Sequence, residues 1–124
     1  MIPDLGDLGE IKACIGLYQE GSARGDRKLL EQAFLPSARM AGWFKGQWLD
    51  VPITTFFEIA EGNPQGEAGY RSELQSIQVT GSAAVATLVE NAYLDHDFTD
   101  YFSLIKTEAG WKIANKVFHG KPAE

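Results

Sequence analysis

A chain of 124 residues with a formal net charge of −6 has the length of one domain and holds no Lys/Arg cluster, so nucleic acid is not an expected partner. No run of about 18 apolar residues occurs, which excludes a membrane-spanning helix. Cys14 is the single cysteine, so no disulfide forms within the chain; MIPDLGDLGE lacks the basic start and apolar stretch of a secretory leader, and the expected location is the cytoplasm.

The first predicted helix runs from about Asp7 to Ala23, with Leu8, Ile11, Ile15 and Tyr18 at helical spacing and Cys14 and Leu17 beside them. Cys14 there reads as a small buried apolar residue. Gly25 ends the helix, and Asp26 is placed to cap a short second one that carries Leu29, Leu30, Ala33 and Phe34 and stops at Pro36. SARMAGWFKGQW reads as extended chain turning near Lys45-Gly46. Asp50 is placed to cap a third helix with Pro52 in its first turn. That helix presents Ile53, Phe56, Phe57 and Ala60 on one face and ends at Gly62-Asn63-Pro64.

The remainder is strand. Gly69 to Thr80 alternates and turns at Thr-Gly; Ser82 to Leu94 is rich in Ala and Val and holds Glu90 on the face of Ala86, Leu88 and Ala92. Burial raises the pKa of such a carboxyl unless a partner such as Arg71 or Lys106 stands nearby. Asp95-His96-Asp97 reads as a solvated polar turn. Phe98–Thr107 and Trp111–His119 close the sheet as a hairpin through Glu108-Ala109-Gly110. Helices first and strands last make an α+β domain spanning residues 1–124, its sheet curled over the helices around a pocket.

Alternation sets Asp100 on the face of Phe98, Phe102 and Leu104, an unusual place for a carboxylate. It is either part of a site or a structural group that caps backbone N–H groups or pairs with Lys116. A two- or four-residue hairpin loop also brings His119 to that face, whereas a three-residue loop with Gly110 left-handed brings Lys116 and Phe118. Of the tryptophans, Trp43 is the candidate for the pocket wall, and GWKI places Trp111 as a lid on the core. No nucleophile motif and no phosphate-binding glycine fingerprint occurs. The DHD triplet around His96 points its side chains in different directions, so no metal site is expected.

YQEGSARGD, LLEQAFLPSARMAGWFKG, PITTFFE and VTGSAAVATLVENAYLDHDFTDYFSLIKTEAGWKIANKVFH together resemble the putative lumazine-binding family of the NTF2-like superfamily, from about Ile11 to His119. That superfamily also contains the SnoaL-like polyketide cyclases and the ketosteroid isomerases. The resemblance implies a cone of helices capping a strongly bent antiparallel sheet, as in cystatin-like folds, with a deep pocket and a homodimer through the outer sheet face. It does not imply one reaction.

Compared with the steroid-isomerase branch, Tyr18 stands seven residues before Gly25, matching the oxyanion tyrosine. Asp100 falls on the strand of the protonated carboxylic acid that is the second donor. The general base falls at Gly42, and no Asp or Glu lies between Ser37 and Gln47. His119 is the candidate to replace it, and the comparison favours its sharing Asp100's face. An apolar, aromatic pocket with few polar groups and no identifiable base leads to the expectation of a cofactor-independent binder of a small hydrophobic or aromatic molecule, lined by Tyr18, Trp43, Phe57, Glu90, Phe102 and Asn115. The alternatives are an isomerase, dehydratase or cyclase using Asp100, His119 and Tyr18, and a dimeric interaction module with a vestigial pocket.

Overall fold

Apolar stripes at helical spacing and alternating strands resolve into three helices on one face of a six-stranded sheet. The computed structural model describes residues 5–66 and 69–123; the expectation of no secretory leader rests partly on residues 1–4, outside those described. Helix α1 is Leu5–Arg24, α2 is Arg27–Ala33 and α3 is Ile53–Gly62. Strands β1 (Phe34–Phe44), β2 (Gln47–Pro52), β3 (Arg71–Thr80), β4 (Ala83–Tyr93), β5 (His96–Thr107) and β6 (Gly110–Pro122) lie in the order β2-β1-β6-β5-β4-β3. All neighbours are antiparallel except β1 and β6. The fold is α+β, and no described helix is long and apolar enough to cross a membrane.

The helices form where the pattern predicts. Ile11, Cys14, Ile15 and Tyr18 of α1 are buried, as are Ile53, Phe56, Phe57 and Ala60 of α3. The Cys14 Sγ–H donates to the Ala33 carbonyl at 3.3 Å, and burial pushes its thiol up to about 11. Asp26 caps α2 by accepting from the Lys28 and Leu29 N–H groups at 3.0 and 3.3 Å. Trp111 is buried, and its indole N–H donates to Asp7 at 3.0 Å, tying the last hairpin to the first helix.

Three boundaries differ from expectation. Phe34 and Pro36 belong to β1, because α2 ends at Ala33 and Pro36 sits in extended chain, where its fixed φ is at home. Pro52 occupies the N-cap of α3, while Asp50 lies in β2 and accepts from Arg39 across the hairpin at 3.1 Å. The turn between β4 and β5 is Leu94-Asp95 (φ +50° and +62°), so His96 starts β5; it is buried, its ring 4.8 Å from that of Phe44 and Nδ1 3.0 Å from the Leu94 carbonyl oxygen.

Two irregularities set which side chains face the helices. The β5–β6 loop has two residues, Glu108 and Ala109, since Thr107 pairs with Gly110. A regular ladder from there would set His119 on Asp100's face. Instead, Ser103 pairs with Asn115 and Leu104 with Ile113, leaving Ala114 unmatched. This bulge moves β6 by one residue and so turns every later side chain to the other face. Asp100 therefore pairs with Phe118 and Phe102 with Lys116. A second shift separates the pairs Glu90–Phe98 and Tyr93–His96. Ala92 adopts φ +59°, held by Asp97, whose Oδ1 accepts from the Ala92 N–H at 2.9 Å.

Candidate functional site

The inward phase of β4 runs through Ala84, Ala86, Leu88 and Glu90, all buried. Strict alternation would continue it to Ala92, but the bulge points Tyr93 inward instead. Glu90 and Tyr93 thus open onto one small cavity of about 50 Å³. Its wall is apolar, with Phe44, Phe56, Phe98 and Phe118 prominent, and its charged members are Glu90 and Lys116. A water needs roughly 10–15 Å³ of such space, so several waters or a small ligand fragment fit.

Behind the wall lies a buried polar cluster. The Tyr18 hydroxyl donates to Glu90 Oε1 at 3.0 Å, and the Tyr70 hydroxyl donates to Oε2. Tyr18 is fixed by aromatic neighbours, with ring centroids 4.9 Å to Phe102, 5.6 Å to Phe56 and 6.0 Å to Phe34. Burial, then the nearby carboxylates, hold the Tyr18 hydroxyl well above the usual phenol range; burial and Glu90 do the same for Tyr70 and Tyr93.

Asp100 is fully buried, and neither of its oxygens has a hydrogen-bond donor among the described residues. On the β4–β5 ladder, Leu88 pairs with Asp100 and Glu90 with Phe98, so Glu90 and Asp100 are diagonal neighbours on one face. Burial raises the Asp100 pKa well above the usual carboxylate range, the charge of Glu90 and contact with its carboxyl add to the rise, and Lys116 opposes it. Two hydroxyls donate to Glu90 and none to Asp100, and burial favours the protonated form of Asp100.

Lys116 is the cation of the cluster. Its side chain is 4% exposed, and Nζ lies 3.7 Å from the centre of the Phe56 ring and 5.0 Å from that of Tyr18. The Tyr93 hydroxyl is buried and without a partner among the described residues. The arrangement offers an apolar cleft that presents the Glu90 carboxyl, the Lys116 side chain and the unpartnered Tyr93 phenol, with Asp100 buried behind it.

The candidates named from sequence divide sharply. Tyr18, Glu90, Asp100 and Phe102 come together in the interior. Phe57 is buried against Phe34 and under Arg27, and it is Phe56 that reaches the cavity. Trp43 is 58% exposed and packs on Trp48 outside the cavity. Asn115 and His119 are exposed, on the face of β6 opposite to Lys116 and Phe118. The favoured pairing of His119 with Asp100 is thereby corrected, and the bulge at Ala114 is the reason. Arg71 and Lys106 are not partners of Glu90: Arg71 is exposed on the edge strand, and Lys106 binds Asp7 at 2.8 Å. Tyr70, Tyr93 and Lys116 were missed as site residues. Tyr70 precedes its strand, and the other two face inward only because of the two bulges.

Gly42 explains the missing base. A Cβ at this position would stand 2.5 Å from the Phe118 carbonyl oxygen and 2.9 Å from two of its ring carbons, so an acid there has no room.

The profile of the family described as "Putative lumazine-binding" matches residues 7–119. The chain belongs to this family. A curated relative, aldolase FrzH of Cladobotryum sp., is 27% identical over 106 residues, covering 85% of this chain and 84% of that one. An NTF2-like protein of unknown function from Shewanella baltica OS155 superposes with a TM-score of 0.89 at 22% identity, over 99% of this chain and 100% of its own. A ketosteroid isomerase-like protein from Erwinia carotovora atroseptica superposes with a TM-score of 0.68 at 16% identity, over 92% and 95% of the two chains. These likenesses establish the NTF2-like fold; the solved neighbours carry no assignment of chemistry to this chain.

Proposed function

We propose that this family member binds a small, largely apolar molecule through one carbonyl or enolate oxygen in the cleft of Glu90, Tyr93 and Lys116. The observation that carries the reading is the apolar wall interrupted by few polar groups, one of which, the buried Tyr93 hydroxyl, has no partner among the described residues. A carbonyl oxygen accepts from a phenol or an ammonium group, while the rest of the ligand replaces contacts among Phe44, Phe98 and Phe118.

A second reading adds acid–base chemistry at that carbonyl. It is favoured by buried Asp100 beside Glu90, whose pKa burial raises, so that the two carboxyls differ in their hold on a proton. It is also consistent with a relative named as an aldolase. Tyr18 and Asp100 act here from behind the wall, positioning Glu90 and storing a proton.

Calorimetric titration with short apolar ketones and their matching alkanes tests the binding reading. Ketones should bind and Tyr93→Phe should weaken them by roughly tenfold, the value of about one hydrogen bond. Equal behaviour of ketone and alkane, or no binding of either, would defeat it.

We further propose that the chain assembles as a homodimer through the sheet face opposite the helices, where Val85, Tyr101 and Val117 are exposed.

A further inference from the structure

We propose that Lys116 forms a covalent imine with an aldehyde or ketone bound in the cleft. The inference rests on the carbonyl-binding reading above and goes beyond it by naming a nucleophile. A lysine on an exposed strand face is ordinary; this one is turned inward by the bulge at Ala114 and enclosed by three rings, those of Phe56, Tyr18 and Phe118. It lines the same cavity as Glu90 and Tyr93. An amine, a proton acceptor in Glu90 and a proton donor in Tyr93 around one cavity are the groups that imine formation requires.

The simplest structural role for Lys116 is to neutralise Glu90. That role does not need the ammonium group to border the cavity, and no contact with either carboxylate is close enough for an ion pair among those seen. The side chain lies instead against aromatic faces.

The step balances with the groups present. Glu90, directly or through a water, takes a proton from the ammonium group. The freed Nζ electron pair bonds to the carbonyl carbon, and the carbon–oxygen π pair moves onto oxygen, which takes the proton of the Tyr93 hydroxyl. The nitrogen returns one proton to the Tyr93 oxygen, giving a neutral carbinolamine. Glu90 then returns its proton to the hydroxyl, the C–O bond breaks, water leaves, and the nitrogen pair closes the C=N bond. The net change is one ammonium group and one carbonyl to one protonated imine and one water. A base such as Glu90 can then remove an α-proton, leaving an enamine whose carbon is a nucleophile.

Reductive trapping tests the proposal on the wild-type chain. Pentanal or pentan-2-one is added with sodium cyanoborohydride, and peptide mapping by mass spectrometry locates the alkylated lysines. Exposed Lys28 serves as the internal control for unassisted reaction. Alkylation of Lys116 at a rate at least about tenfold above Lys28 is expected, because a held carbonyl raises the local concentration. Lys116→Arg should abolish that adduct while leaving Lys28 labelled; Lys116→Met serves if the arginine does not fold. Ketone binding by calorimetry without an adduct at Lys116 overturns the imine and leaves the binding reading intact. Neither binding nor adduct overturns both.

Discussion

Glu90 and Asp100 place two carboxyl groups side by side on the inner face of the sheet, and the tyrosine hydroxyls go to Glu90 alone. The asymmetry bears on which group carries the proton. Two like charges in a buried site disfavour each other, and burial with the neighbouring Glu90 raises the pKa of the acid without donors.

A pH signature follows. In the folded chain Asp100 keeps its proton at pH values where the unfolded chain has lost it, since burial raises its native pKa above the ordinary value of about 3.9. The native state then binds more protons than the unfolded one, and unfolding becomes easier as pH rises through that window, by at most ~1.4 kcal/mol per pH unit. Asp100→Asn mimics the neutral acid and has nothing to ionise. Urea melts from pH 4 to 7 should show the variant gaining on wild type as pH rises. A constant difference across the range would mean that Asp100 is not the proton carrier.

The two bulges mark how far the sequence could be read. Helical spacing located Tyr18 in the core, and alternation placed Asp100 beside Phe102, because both signals are local and periodic. The face of β6 after Ala114 depended on a single unmatched residue, which no hydrophobic pattern announces. His119 was therefore favoured on Asp100's face, and Lys116 and Phe118 there were the alternative. Trp43 is a similar case: it was the tryptophan expected on the pocket wall, yet it meets Trp48 across an exposed hairpin. Tyr93 lay one residue beyond the last inward position that alternation allows.

The bulge at Ala92 stores strain that can be measured. A non-glycine residue at φ +59° costs roughly 1–2 kcal/mol, and Asp97 offsets this by binding the Ala92 N–H. Ala92→Gly should stabilise the fold by about 1 kcal/mol with ketone binding unchanged. Asp97→Ala should destabilise by ~1–2 kcal/mol and also weaken ketone binding, because Tyr93 and Leu94 border the cavity next to this turn. Chemical denaturation with calorimetry on both variants would separate the two effects. Loss of stability in Ala92→Gly would show that the left-handed backbone is not strained.

Gly42 gives a steric prediction about rebuilding a base. Restoring an acid by Gly42→Asp drives a side chain into the Phe118 ring. Overpacking of this kind costs ~1–3 kcal/mol, and burying the carboxyl adds to it. The variant should melt markedly lower than wild type and gain no isomerisation of an unsaturated ketone. Adding Phe118→Ala should not restore the loss, since the nearest contact is the Phe118 carbonyl oxygen, which that substitution keeps. A single variant as stable as wild type would mean that the strands part easily at this point.

The outer face of the sheet makes the last prediction. Tyr101 lies between Thr87 of β4 and Val117 of β6, and Val85 follows two positions along the same face. Tyr101, Val85 and Val117 are 54%, 50% and 45% exposed, too much apolar surface in one place for a face meant for water. A twofold axis through this patch would let each Tyr101 pack on the partner sheet, so a single substitution removes two contacts. Sedimentation at micromolar concentration should give a dimer. Tyr101→Lys should weaken it by at least about thirtyfold, the effect of ~2 kcal/mol at a buried aromatic anchor. The fold should survive in the variant, because the side chain touches solvent in the single chain. A wild-type monomer at that concentration would reject the dimer, and an unchanged Tyr101→Lys dimer would move its interface elsewhere.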